Sequence, residues 1–379
     1  MANFAFTDEQ EELRRTIRRF MEEKSPSSEV RRLMATPEGY DEVVWKQMGQ
    51  ELGLQGIAIP EELGGQGYGR VELGIVLEEM GRALFAGPFF PSLCLAAPAI
   101  SVAATDEQKR ELLPGIASGD VIATLALTEP NGRWDADGIT MEATATADGD
   151  LFTLAGTKTY VLDGHNASLI VVAARVPGSA GTDGVGLFAV AGSAEGLTRT
   201  VLDTIDMTRK QARLDFSGVR ARPLGTVGQV WPALSTTLDL AAVALAAEMT
   251  GGAGRCLDMA VEYAKNRIQF GRPIGSFQAI KHKCADMLLR VESAKAASYY
   301  AAWIAAEDTG ELPVAASLAK AYCSDAYFFC ATENIQVHGG MGFTWEHDAH
   351  LYFRRAKCSE LLFGDGTYHR ELLAQRLGI

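Results

Sequence analysis

Basic residues are in deficit: 35 Lys and Arg against 48 Asp and Glu leave a formal net charge of -13. That balance argues against a nucleic-acid partner, whose phosphates require clustered cations on one face. Cysteine is scarce as well. The six present (Cys94, Cys256, Cys284, Cys323, Cys330 and Cys358) show neither CxxC spacing nor nearby paired histidines. They read as free thiols of a reducing, cytoplasmic compartment, and no metal is expected. No run reaches the length of a membrane span, since the alanine-rich stretch from Leu238 to Ala247 is short and closed by Glu248. The opening segment MANFAFTDEQEELRRTIRRF is mixed in charge from residue 8 onward, where a signal peptide or anchor would be apolar. Internal repeats and low-complexity segments are absent. The glycine cluster GGQGYG at Gly64 to Gly69 lacks both the G-x-G-x-x-G spacing and a surrounding βαβ unit, so it reads as a turn.

What is present is an ordinary globular composition, 47% hydrophobic over 379 residues, enough to bury a full core. Thr7 and Gln10 form a T-x-x-Q capping box ahead of an amphipathic run, and Tyr40 to Leu54 and Val71 to Leu84 repeat apolar residues at helical spacing. From about Val121 to Leu224 the period shortens to β-type runs: VIATLAL, DLFTLAGTKTYV, SLIVVAA, VGLFAV and ARLDF, separated by Gly, Asp, Asn and Pro. Helical periodicity returns over Trp231 to Arg267, Gln278 to Asp308, Pro313 to Val337 and Ala349 to Gln375. The expected class is α+β, with an N-terminal helical domain (1–120), a middle β domain (121–227) and a C-terminal four-helix bundle (228–379).

Five segments in this order carry a further signal: IPEELGGQGYGRVELGIVLEEMGR, ALTEP (Ala126 to Pro130), GTKTYVLDG (Gly156 to Gly164), YAKNRIQFGRPIGSFQAIKHKCADM (Tyr263 to Met287) and QVHGGMGFTWEHDAHLYFRRAK (Gln336 to Lys357). Over nearly the whole chain they resemble the acyl-CoA dehydrogenase family, including bacterial members acting on bulky acyl-CoA thioesters. The resemblance implies the same helix–β–bundle order and an FAD cofactor lying between β domain and bundle. It implies an acyl-CoA substrate oxidised between its second and third carbons, and an electron-transferring flavoprotein as acceptor. Assembly into a tetramer is implied too, either of one chain or with a related chain.

The same resemblance assigns flavin contacts. Thr128 matches a hydroxyl on the flavin's pyrimidine side, a strand-end Thr capping a turn before Pro130 being the alternative. Tyr160 stands where an aromatic side chain covers one flavin face. Leu162 and Trp134 are departures, replacing a Thr and a Ser and so removing polar contacts. From a neighbouring subunit, Arg267 matches the guanidinium on the pyrophosphate, with Phe270 and Gln278 at matching spacing. Gln336, Gly339 and Gly340 resemble a turn whose backbone approaches the diphosphate, and Thr367 and His369 line the adenine side, His369 in place of a more usual Gln.

Removing a proton beside the thioester carbonyl needs a carboxylate facing the flavin. Two candidates stand. Asp365, in Phe363-Gly364-Asp365-Gly366-Thr367, matches a family turn that carries a Glu. It is one methylene shorter, its backbone N–H fits polarising the thioester carbonyl, and a plain turn Asp is the alternative. A second family arrangement puts the base at Ala241, which cannot serve. Glu248, seven residues on, shares its helix face with small and apolar side chains, where burial would suit a proton acceptor, and it is the favoured base; a buried structural carboxylate is the alternative. His338 reads as packing beneath the flavin turn. No metal geometry is assigned to His282, His347 or His350. Arg354, Arg355, Glu61, Glu62, Glu78 and Glu79 read as solvated or interface charges.

Overall fold

Capping side chains open the first helix as the sequence implies. Thr7 Oγ1 accepts the Gln10 N–H at 3.2 Å, Gln10 Oε1 accepts the Thr7 N–H at 3.0 Å, and α1 (Asp8–Lys24) follows. The computed structural model describes residues 6–147, 151–307 and 309–379, so Met1 to Ala5, Asp150 at the head of one β run and Asp308 at the end of one helical run lie outside the described residues. After α1 come α2 (Ser27–Met34), α3 (Glu42–Gln50), α4 (Arg70–Arg82), a π-helical turn (Pro91–Ala96), α5 (Ala97–Ala103) and α6 (Asp106–Ala117). Strands β1 (Ala123–Ala126), β2 (Glu142–Ala145), β3 (Phe152–Leu162), β4 (Leu169–Arg175), β5 (Val185–Ala191), β6 (Leu197–Val201) and β7 (Gln211–Gly228) follow. The chain then runs through α7 (Trp231–Asn266), the two-residue strands β8 (Ile268–Gln269) and β9 (Arg272–Pro273), α8 (Gln278–Glu307), α9 (Leu312–His338), α10 (Ala349–Leu361) and α11 (Gly366–Leu377).

These elements form two compact units. One comprises Leu33–Tyr68 and Ala86–Ala241. Its sheet closes on itself: β1 and β2 run parallel to β4, β2 pairs with β3, β3 with β7, β7 with β5, and β5 returns to β4. Inward residues of alternating parity, among them Ala143, Leu154, Ile170, Val172, Phe188 and Leu214, fill its core. Strands β2 and β6 are additions to the expected set. Their sequences, EATA and LTRTV, are mostly exposed and polar, so neither gave an apolar alternation to detect. GGQGYG is the turn expected, with Gly64 and Gly67 at φ +83° and +69°.

The other unit comprises Met1–Arg32, Gly69–Phe85 and Ala242–Ile379. Here α4 and α7 approach to backbone distance through glycines: a Cβ at Gly81 would lie 2.0 Å from the Glu248 carbonyl oxygen, and one at Gly251 1.8 Å from that of Glu78. Glu78 and Glu79 correct an expectation, being buried rather than solvated. Arg14 reaches Glu78 at 3.0 Å, Arg18 reaches Glu79 at 2.8 Å, and the Tyr299 hydroxyl donates to Glu78 at 2.9 Å. Glu61 and Glu62 are exposed as expected.

Two more differences concern helices. An 18-residue window of α7 reaches mean hydropathy 1.2, so by length and composition a span-like helix exists after all; 72% of that window is buried within the protein, the pattern of a core helix. The expected single helix from Ala349 to Gln375 is broken, because Phe363 and Gly364 take φ +61° and +100° between α10 and α11.

Candidate active site

In the β unit, β1 ends at the ALTEP turn and β3 passes beside it, so that the Thr159 N–H donates to the Thr128 carbonyl at 2.8 Å. Thr128 and Tyr160, separated by 32 positions in sequence, are thereby brought together. Thr128 is buried. Tyr160 lies within a register shift of the β3–β7 ladder, between Lys158 and Val161, at φ +54°, and the residue is 53% exposed. Non-glycine residues in left-handed backbone are strained, and an aromatic one held so with its ring in the open suits a planar partner. Leu162 is buried, and its carbonyl accepts from the Thr124 hydroxyl at 2.6 Å.

What fixes this corner is a pair the sequence reading missed. Lys158, fully buried, donates to the Leu127 carbonyl at 3.0 Å and to Glu129 Oε1 at 2.7 Å. Glu129 also receives the backbone N–H groups of Thr140 and Met141. Burial pushes the Lys158 ammonium down to about 8 against the pull of Glu129. Burial opposes the Glu129 charge too, yet Lys158 and the surrounding donors hold its carboxyl below the ordinary range. The clue lay in parity: Lys158 shares the inward side of β3 with Leu154.

In the helical unit, the residues expected at a neighbouring subunit's cofactor gather at one end. Tyr263 of α7 packs against His338 of α9, ring centres 4.3 Å apart and planes tilted by 31°, and Lys283 of α8 pairs with Glu333 of α9. Arg267, Gln278, Gln336, Gly339 and Gly340 are all exposed there. Phe270, at φ +54°, tips the β8–β9 hairpin with 91% of its surface open, 6.0 Å from Phe277. A cation, an amide and open glycine backbone beside a projecting aromatic fit a diphosphate with attached rings.

Glu248 sits on α7, buried, but its surroundings are not the apolar face expected. Arg355 of α10 donates from Nη1 to Glu248 Oε1 at 3.0 Å, and the two side chains are 3% and 7% exposed. Arg355 is therefore no solvated charge, and from Nη2 it also reaches the Phe85 carbonyl at 3.4 Å. One helical turn earlier, the Tyr352 hydroxyl donates to the Arg82 carbonyl at 2.7 Å. Tyr327 packs against Gly252, with burial raising its hydroxyl well above the usual range. Ala241 is fully buried.

Asp365 caps α11, accepting the Tyr368 N–H at 2.8 Å. Thr367 is exposed. His369, expected along an adenine pocket, is turned inward, 3% exposed, with Nε2 3.0 Å from the Phe363 carbonyl. Burial, reinforced by Lys320, lowers its imidazole to about 4. His338 is likewise a packing residue, its Nδ1 2.8 Å from the Asn334 carbonyl.

Comparison with known proteins places this geometry in context. The chain matches the acyl-CoA dehydrogenase N-terminal domain over residues 7–120, the middle domain over 124–219 and the C-terminal domain over 228–378. It is 34% identical over 358 residues to acyl-CoA dehydrogenase IpdE2 of Mycobacterium tuberculosis, covering 94% of this chain and 93% of that one. Among solved structures it resembles butyryl-CoA dehydrogenase from Megasphaera elsdenii, with a TM-score of 0.92, 28% identity and 100% of both chains covered. The ChsE4–ChsE5 complex from Mycobacterium tuberculosis is similar at a TM-score of 0.89 and 29% identity, over 100% of this chain and 99% of that one.

Proposed function

Since the chain belongs to the acyl-CoA dehydrogenase family of flavin-dependent oxidoreductases, we propose that it desaturates an acyl-CoA thioester to the trans-2-enoyl-CoA with Glu248 as the base. The observation that supports this is the buried Glu248 carboxylate, held by Arg355 on α7. As the anionic partner of Arg355 it offers a lone pair to the proton beside the thioester carbonyl. The Asp365 N–H polarises the thioester oxygen and so stabilises the charge that develops there. Thr128 and Tyr160 would hold the flavin ring system, with Tyr160 excluding water from one face, and Arg267, Phe270, Gln278, Gln336, Gly339, Gly340 and Thr367 would hold the diphosphate and adenosine portion of a neighbouring copy's cofactor. Flavin supplies the acceptor for the hydride leaving the third carbon. An electron-transferring flavoprotein is the proposed reoxidant, and a tetramer the proposed assembly.

Glu248→Gln tests the base: flavin content should match wild type while turnover falls by about 10²- to 10⁴-fold, the scale of losing a general base. Unchanged turnover would transfer the role to Asp365. A second reading, that this chain is the partner subunit of a two-chain enzyme, is favoured by Leu162, which offers no polar group where a hydroxyl is expected. On that reading the chain purifies colourless alone and gains flavin only when co-expressed with a related chain.

A further inference from the structure

The break between α10 and α11 is gripped from inside by two titratable side chains, one from α9 and one from α11. Lys320 of α9 is 0% exposed, and its ammonium donates to the carbonyls of Glu360 and Gly364, each at 2.9 Å, and to the Ser324 hydroxyl at 3.1 Å. His369 of α11 meets the Phe363 carbonyl at 3.0 Å. A carbonyl only accepts, so Nε2 carries the proton. Three carbonyls around one left-handed turn are thus drawn inward by side chains from two helices.

The planarity of the peptide bond gives this grip a direction. In a trans peptide the carbonyl of one residue and the N–H of the next point opposite ways. With the Gly364 oxygen on Lys320, the Asp365 N–H must face away from Lys320. It has no acceptor among the described residues, and the Asp365 carboxylate is engaged on the Tyr368 N–H. A backbone donor aimed outward, unspent and rigidly backed is what a developing oxyanion requires.

We propose that Lys320 and His369 are positioning residues that aim the Asp365 N–H at the thioester oxygen, and that His369 does not contact the cofactor. The proposal rests on the dehydrogenase reading for its chemistry, though not for its geometry. Burial holds the Lys320 ammonium down to about 8, opposed by Glu360 and Asp365, which is the cost of placing a cation where it meets only neutral acceptors.

The experiment uses the full-length holoprotein and three variants. Lys320→Met and His369→Ala should keep wild-type flavin content while kcat falls roughly 10- to 100-fold with KM changed less than about threefold, a loss confined to the transition state. His369→Gln, whose amide can still donate to the Phe363 carbonyl, should recover most of the rate. Flavin loss in His369→Ala with normal kcat once flavin is resupplied would return His369 to the cofactor and overturn the proposal, as would wild-type kcat in both donor-less variants. If Lys320→Met does not fold, the two His369 variants decide. Should the wild-type chain oxidise no thioester, the functional reading falls separately. The grip is then judged by hydrogen exchange at the Gly364 amide, which donates to the Leu361 carbonyl: faster exchange in His369→Ala than in His369→Gln supports it, and equal rates refute it.

Discussion

Replacing Arg355 by Met isolates what the buried pair on α7 and α10 contributes. The side chains of Arg355 and Glu248 are only 3% and 7% exposed, so solvent offers the Glu248 carboxylate little relief when Arg355 is removed. Removing one partner of such a pair costs about 3–5 kcal/mol, because the remaining charge keeps its desolvation penalty and loses its compensation. The Phe85 carbonyl loses a donor as well. By contrast, the pair of Lys46 and Glu42, 59% and 69% exposed, is screened by solvent and should contribute little. Equilibrium unfolding in urea, followed through the helical unit's transition, gives the single variants, Arg355→Met with Glu248→Gln together, and Lys46→Met as control. Arg355→Met should fall in the 3–5 kcal/mol range, and adding Glu248→Gln should restore much of it by removing the buried carboxylate charge that Arg355 balanced. An Arg355→Met loss below about 1 kcal/mol, or a double variant no more stable than the single, would refute the reasoning.

Further outcomes follow from other contacts. In the β unit, Lys158→Met should cost a similar 3–5 kcal/mol by stranding Glu129, measured by urea unfolding and largely relieved by Glu129→Gln. Gly251→Ala places a methyl 1.8 Å from the Glu78 carbonyl oxygen, so α4 and α7 must separate, and calorimetry should show a loss of about 1–3 kcal/mol. His369, at about 4 when folded against 6.5 otherwise, stays neutral in the native state while the unfolded chain takes up a proton. Stability from this residue is therefore present above pH 6.5 and lost as pH falls toward 4, and His369→Gln should flatten the decline in unfolding midpoint over that window. Lys320, at about 8 against 10.5, gives the same sign at higher pH: its burial penalty applies in full below 8 and is relieved as pH rises toward 10.5, a slope that Lys320→Met should remove.

Elements with a complete local signal were legible in the sequence. The Thr7–Gln10 capping box, the core strands β3, β4 and β5 and the long helices α7, α8 and α9 all rest on caps and periodicity within a few residues of themselves. Features resting on distant partners were not. Arg355 and Glu248 are 107 positions apart, so nothing near either one distinguishes a buried ion pair from a solvated charge. Glu78 and Glu79 were misread for the same reason, their cations lying on α1. The break at Phe363 and Gly364 escaped because the flanking residues keep helical periodicity while Lys320, 44 positions before Gly364, holds the turn. Thr128 and Tyr160 are assigned by motif resemblance alone; the strain at Tyr160 and the Lys158 anchor beneath it emerge only from the fold.

The most direct test of the account is a visible absorption spectrum of the purified chain, taken before and after anaerobic addition of a panel of straight and bulky acyl-CoA thioesters. The account predicts flavin bands in the resting protein that bleach with at least one thioester, and that persist unbleached in Glu248→Gln. A yellow protein that no thioester bleaches, or a colourless one that stays colourless when FAD is supplied, would contradict it.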